Sequence, residues 1–345
     1  MTRISVPTGG ARPGRRLRLP GVIAALTLVL AGCTVPPLAP RVTGDGRGEA
    51  AAAPGSGTLR WRPCPEVPAE LVGRGAPNMT YECATLAVPR DWDAPGAGRA
   101  QAGAADSFEI ALLRVRSKRQ TDRIGSLLIN PGGPGASGVE MAVYLSYGPA
   151  FGGLPNAVTE RFDIVGFDPR GVDRSSPVKC ISDAALDESF GYDPDPRDQA
   201  AFDALVELNR RIGQECGRRY GDRLHLFATK QAARDMDAIR AALGDEKLTY
   251  LGYSYGSLLG ATYAQLFPRN VRALVLDGAV DPRQDLMAGS ESQAQGFERA
   301  FTNFSTWCAA TPARCPIAPD ARAAVTTAID KARVSPVRGT DGREA

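Results

Sequence analysis

From about residue 61 onward the chain is built of short apolar runs separated by longer amphipathic stretches. Ala84-Thr85-Leu86-Ala87-Val88 and Phe108-Glu109-Ile110-Ala111-Leu112-Leu113-Arg114-Val115 read as strands. Ser126-Leu127-Leu128-Ile129, Phe162-Asp163-Ile164-Val165-Gly166-Phe167, Leu248-Thr249-Tyr250-Leu251 and Ala273-Leu274-Val275-Leu276 are almost continuously apolar, the pattern of strands covered on both faces of a parallel sheet. Residues 231–243 instead place Met236, Ile239 and Leu243 at helical spacing and stop at Gly244, and residues 255–267 place Leu258, Leu259, Tyr263 and Leu266 on one face before Pro268. Strands alternating with helices predict an α/β fold with a mostly parallel sheet and flanking helices.

The first residues carry a different pattern. Arg3, Arg12, Arg15, Arg16 and Arg18 precede the apolar run Val22–Leu30, which is too short to span a bilayer and is followed by Ala31-Gly32-Cys33. This is the layout of a secretory signal. Leu30-Ala31-Gly32-Cys33 resembles the lipobox of bacterial lipoproteins, whose cysteine is acylated and becomes the mature N-terminus. An exported protein held on the outer face of the cell membrane through Cys33 is therefore expected, with plain secretion after cleavage as the alternative. Arg15-Arg16 lies in a context that fits twin-arginine export poorly. Residues 1–32 hold five arginines and no acid, so the net charge of +3 becomes −2 beyond them, which removes any ground for a nucleic-acid surface. Residues 33–60, rich in Ala, Gly and Pro, read as a flexible tether.

Six further cysteines follow: Cys64, Cys83, Cys180, Cys216, Cys308 and Cys315. An even number in an exported chain points to three disulfides, and pairing neighbours (Cys64–Cys83, Cys180–Cys216, Cys308–Cys315) is the simplest of the fifteen arrangements. A zinc site is a weak competitor, because the chain has no Cys-x-x-Cys and a single histidine, His225. No metal or cofactor is expected.

Candidate chemistry begins with Gly252-Tyr253-Ser254-Tyr255-Gly256, which follows a strand-like run and opens a helix. A bare Gly-x-Ser-x-Gly is common by chance; the strand–turn–helix setting makes Ser254 a nucleophile candidate, displayed on a tight turn above the sheet. Asn130-Pro131-Gly132-Gly133-Pro134-Gly135 directly follows another buried strand, and Gly166-Phe167-Asp168-Pro169-Arg170-Gly171 ends the next. Asp168 and Arg170 are expected to brace the loops around the site as an ion pair.

The Pro-Gly-Gly-Pro-Gly loop, the Asp-x-Arg-Gly segment, the Ala-Arg-Asp-Met-Asp-x-Ile-Arg helix and Gly-Tyr-Ser-Tyr-Gly-Ser occur in that order. Together, over roughly residues 60–345, they resemble the exported actinobacterial tripeptidyl-aminopeptidase branch of the prolyl-aminopeptidase-like α/β-hydrolases. The resemblance implies a core at 61–285, the start of a cap at 286–345, and a monomeric enzyme that removes short peptides from free N-termini through an acyl-enzyme. It implies that Ser254 is the nucleophile and that the N–H groups of Gly133 and Tyr255 receive the oxyanion. In such enzymes the triad runs Ser, then Asp or Glu, then His, the last two after the seventh and eighth strands. No histidine follows Ser254, His225 precedes the nucleophile strand, and Asp277 reads as the start of the cap connection. The expectation is a C-terminally truncated version of a longer product, lacking its last core strands and its triad acid and base, and inactive or incomplete as it stands. The alternatives are a non-catalytic peptide-binding surface lipoprotein and an esterase or lipase on the same machinery.

Overall fold

The computed structural model describes residues 59–64, 78–94 and 106–339. The expected signal segment, Cys33 and most of the expected tether fall outside the described residues. Seven strands form one sheet in the order β1-β2-β3-β5-β4-β6-β7. These are β1 (Arg62–Pro63), β2 (Met79–Pro89), β3 (Ser107–Ser117), β4 (Gly125–Asn130), β5 (Phe162–Phe167), β6 (Leu248–Tyr253) and β7 (Val271–Asp277).

The sheet divides where its sequence changes character. β1, β2 and β3 pair antiparallel, and β3 runs antiparallel to β5. β5, β4, β6 and β7 are all parallel. Every residue of β4 is buried, and so are five of the six in β5, as unbroken apolar runs require. One face is covered by α1 (Gly138–Leu145), whose Val139, Ala142 and Val143 pack on Leu127, Ile129 and Ile164. The other is covered by α5 (Thr229–Ala242) and α6 (Tyr255–Leu266), where Met236, Ile239, Leu259 and Tyr263 meet Leu128, Val165 and Tyr250. The two helices anticipated from spacing are present within two residues of their expected limits.

The short helix α2 (Asn156–Thr159) precedes β5, and between β5 and α5 the chain forms α3 (Asp183–Phe190) and α4 (Gln199–Tyr220). Ser182 and Asp198 cap α3 and α4 by accepting Ala185 N–H and Ala201 N–H. Beyond β7, α7 (Leu286–Ala310) and α8 (Ala321–Val334) follow. They are joined by an Arg322–Glu298 ion pair, and Arg333 of α8 reaches Asp193 and Asp195 at 3.0 Å. The disulfides are Cys64–Cys83, Cys180–Cys216 and Cys308–Cys315. Among the described residues β7 pairs with β6 alone, and Val275 at its centre is 58% exposed.

Candidate active site

At the carboxyl end of β6 the chain reverses into α6 within one residue. Ser254 is that residue, at φ 52° and ψ −121°, a conformation that L-residues adopt only under constraint. A serine at a helix N-cap ordinarily accepts a bond from the first turn, but Ser254 makes none. Its side chain is exposed, and no partner for Oγ occurs among the described residues. The turn closes because its flanks are glycines: a Cβ on Gly252 would fall 2.4 Å from Gly256 O.

The backbone of Ser254 is fixed on both sides. Its N–H donates to Asp277 C=O at 2.8 Å, across from β7. Its C=O accepts from the Ser257 hydroxyl at 2.6 Å, and Ser257 Oγ in turn accepts Val280 N–H at 2.9 Å. Ser257 is buried, so this relay is shielded from water.

The 131–137 loop sits directly against this turn. Gly132, at φ +96°, passes so close that a Cβ would lie 2.4 Å from Tyr253 O, 3.0 Å from Tyr255 N and 3.1 Å from Ser254 Cβ. Only glycine can bring the two backbones together here. The loop is held at both ends. Asn130 Oδ1 accepts Gly132 N–H at 2.9 Å. Buried Asp168 accepts from Ser137 Oγ at 2.6 Å and from Val139 N–H at 3.2 Å with one oxygen, and from Arg174 N–H at 3.2 Å with the other.

Asp168 and Arg170 do not form the expected ion pair. Arg170 turns away from the site and forks onto Asp235 of α5, at 2.7 and 2.5 Å. Its remaining N–H groups reach the carbonyls of Pro89, Arg90 and Leu226 at 3.1, 2.8 and 3.1 Å. The guanidinium also lies over the Phe108 ring, and Trp92 Nε1–H donates to Asp235 at 2.8 Å. Burial pushes the Asp235 carboxyl up, while the Arg170 fork and Trp92 draw it back. The reason for the rearrangement is geometric: β5 ends at Phe167, so strand alternation does not keep Asp168 and Arg170 on one side, and α5 offers Arg170 a buried carboxylate in Asp235. Bracing is therefore divided, Asp168 serving the Gly-Gly loop and Arg170 the outer layer.

His225 lies on the 221–227 segment, exposed, with its ring against the Asp222 carbonyl and 3.8 Å from the Asp91 carboxylate. Asp277 is exposed beside Tyr253, its partner in strand register. Burial raises the Tyr253 phenol, and the neighbouring Asp277 carboxylate adds to the shift. Tyr255 is also raised by burial, and its hydroxyl meets Thr229 at 3.0 Å. Among the described residues no group of three His, Cys, Asp or Glu side chains is placed to hold a metal ion. Asn130, Ser137, Asp235 and Ser257 escaped the sequence reading. Only Ser137 carried a local signal, the Ser-x-x-Glu pattern of a helix start completed by Glu140, whose N–H it accepts at 3.2 Å.

A strained serine between a parallel strand and a helix, backed by a glycine loop from the neighbouring strand, defines an α/β-hydrolase architecture. Residues 125–330 match the profile of the alpha/beta hydrolase fold family, and the chain belongs to that family. Serine protease Hip1 of Mycobacterium tuberculosis is 41% identical over 317 residues, covering 90% of this chain and 55% of that protein. Carboxylesterase B of the same organism is 38% identical over 314 residues, with 89% and 56% covered. Tripeptidyl aminopeptidase of Streptomyces lividans is 37% identical over 234 residues, with 67% and 42% covered. The chain thus spans about half the length of the curated relatives it matches.

Proposed function

We propose that this chain carries the nucleophile and oxyanion-binding half of an exported serine peptidase that releases short peptides from free N-termini through an acyl-enzyme. In this reading Ser254 Oγ attacks the scissile carbonyl carbon, and the negative oxygen that develops accepts hydrogen bonds from Tyr255 N–H and Gly133 N–H. The α6 N-terminus behind the turn favours the same charge. The Oγ proton must pass to a base, which is not among the described residues near Ser254, and from it to the leaving amine. His225, turned toward Asp91 and Asp222, is not that base. Residues 1–32 act as the export signal, Cys33 bears the lipid that holds the protein to the outer face of the membrane, and residues 33–60 are the tether. The three disulfides fit an oxidising compartment. The observation that carries the reading is Ser254 itself, held at φ 52° with its hydroxyl free of the helix it caps while a glycine loop is seated on its turn.

A fluorophosphonate probe tests it on the 345-residue chain. Labelling at Ser254 that disappears in Ser254→Ala is the expected result, at the slow rate left to a serine that has an oxyanion hole but no base among the described residues. Peptide binding without labelling would overturn it in favour of a non-catalytic peptide-binding lipoprotein. The identity with carboxylesterase B supports esterase activity as a second reading. Hydrolysis of p-nitrophenyl esters but not of tripeptide anilides would establish that one instead.

A further inference from the structure

Between Asn130 and Gly135 the backbone has only two N–H groups, because Pro131 and Pro134 have none. Gly132 N–H is already taken, donated to Asn130 Oδ1 at 2.9 Å. Gly133 N–H has no hydrogen-bond partner among the described residues. The choice between two adjacent glycines is thus made by a side chain.

Asn130 is well placed to make it. The residue is 1% exposed and ends β4, opposite Gly252 of β6. A Cβ on Gly256 would fall 2.7 Å from Asn130 O and 2.9 Å from its Oδ1, so the carboxamide is wedged between the loop and the first turn of α6. Its orientation follows from chemistry: an oxygen must face the Gly132 N–H. That leaves Nδ2, which is buried without a partner among the described residues, as the end that carries partial positive charge. At the other end of the loop, Asp168 holds Ser137 Oγ at 2.6 Å and Val139 N–H at 3.2 Å.

We propose that Asn130 is a positioning residue that selects Gly133 as the oxyanion donor, and that with Asp168 it holds this donor in place before substrate arrives. The inference rests on the reading of Ser254 as nucleophile. A neutral carboxamide suits the role because it satisfies Gly132 without placing net charge under a turn where negative charge develops. Aspartate at this position keeps the acceptor and the volume; protonated, it reproduces the amide, and ionised, it opposes the oxyanion.

The test compares the full chain with Asn130→Ala and Asn130→Asp, using amide hydrogen exchange at Gly132 and Gly133 and the rate of fluorophosphonate labelling at Ser254. In Asn130→Ala, Gly132 exchanges at least tenfold faster and labelling slows by about tenfold, the order expected for a misplaced oxyanion donor. In Asn130→Asp, a near-isostere that guards against misfolding, Gly132 stays protected. Its labelling relative to wild type is then at least tenfold lower where the new carboxyl is ionised and recovers as the pH is lowered through that carboxyl's pKa, a profile that a merely structural role would not produce. Unchanged Gly132 exchange in Asn130→Ala would overturn the proposal. So would faster exchange with unaltered labelling, or an Asn130→Asp labelling ratio that does not vary with pH. If wild type is not labelled, the nucleophile reading falls, and with it Asn130's part in an oxyanion hole, while the exchange data still decide whether Asn130 holds the loop.

Discussion

Replacing Arg170 by Met removes the guanidinium from a site where all five of its N–H groups are engaged, by Asp235 and by the carbonyls of Pro89, Arg90 and Leu226. The side chains of Arg170 and Asp235 are 0% and 1% exposed, so water cannot replace what is lost. Asp235 is left with the Trp92 indole as its remaining donor. Removing one member of a buried ion pair costs about 3–5 kcal/mol, chiefly because the other charge stays buried. At about 2–4 °C per kcal/mol for a domain of this size, the melting temperature should fall by roughly 6–20 °C. Thermal melts followed by circular dichroism at pH 7 and pH 5 measure the shift, and urea titration the free energy. The sign of the pH effect follows from linkage. Without Arg170 the native Asp235 pKa rises further above its unfolded value, so the native state binds a proton that the unfolded state lacks. Stability of the variant then declines as pH rises through that range, and its deficit shrinks at pH 5. Arg170→Met combined with Asp235→Leu should recover most of the loss, since no charge remains buried. A single-variant cost below about 1 kcal/mol, or a double variant no more stable than the single, would refute the reasoning.

Gly132→Ala should lower stability by about 2–4 kcal/mol, from its positive φ together with a Cβ 2.4 Å from Tyr253 O, and should abolish labelling of Ser254; unchanged labelling would mean the loop can move off the turn. Reduction should reveal unequal disulfides. Cys180–Cys216 closes a separation of 36 residues and Cys308–Cys315 one of 7, so chain entropy assigns them about 4 and about 2 kcal/mol, measurable by urea titration of the two Cys→Ser pairs. Asp163 provides a pH signature. Burial pushes its carboxyl up, but hydrogen bonds from Gln120 and Arg116 and the charges of Arg123 and Arg116 outweigh this and hold it below the ordinary range. Its contribution is therefore present above the unfolded pKa of about 4 and is lost as acid takes the pH below it; Asp163→Asn should flatten that part of the acid titration.

Apolar continuity was enough to reveal β4, β5 and β6, because a strand buried on both faces must be mostly apolar; its polar members Ser126, Asn130 and Asp163 are each hydrogen-bonded. The helix over residues 229–242 was equally legible, since one face must present Met236 and Ile239 to the sheet. Pairings across long separations were not. Asp168 and Arg170 are two residues apart and of opposite sign, and nothing local discloses that Arg170 finds its carboxylate 65 residues on. Asn130 and Ser257 act through small polar atoms whose partners depend on which backbone passes within 3 Å, a fact that exists only after the sheet has formed. No element was read from the sequence over α3 and α4, helices that bury little; Leu208 is the one buried residue of α4.

The hydrogen bonds joining Ser254 to Asp277 and, through Ser257, to Val280 make the start of α6 and the exit from β7 a single mechanical piece. The Gly-Tyr-Ser-Tyr-Gly pentapeptide transplanted to another sheet would therefore lose the outside grip that maintains its strained turn, and would relax toward an ordinary capped helix start. The chain leaving β7 for α7 becomes a lever on that turn. A shift of residues 277–280 would be felt first at the Ser254 backbone, through the bonds to its N–H and C=O. The geometry of the serine is in that sense set from the rim of the sheet as much as from its own turn.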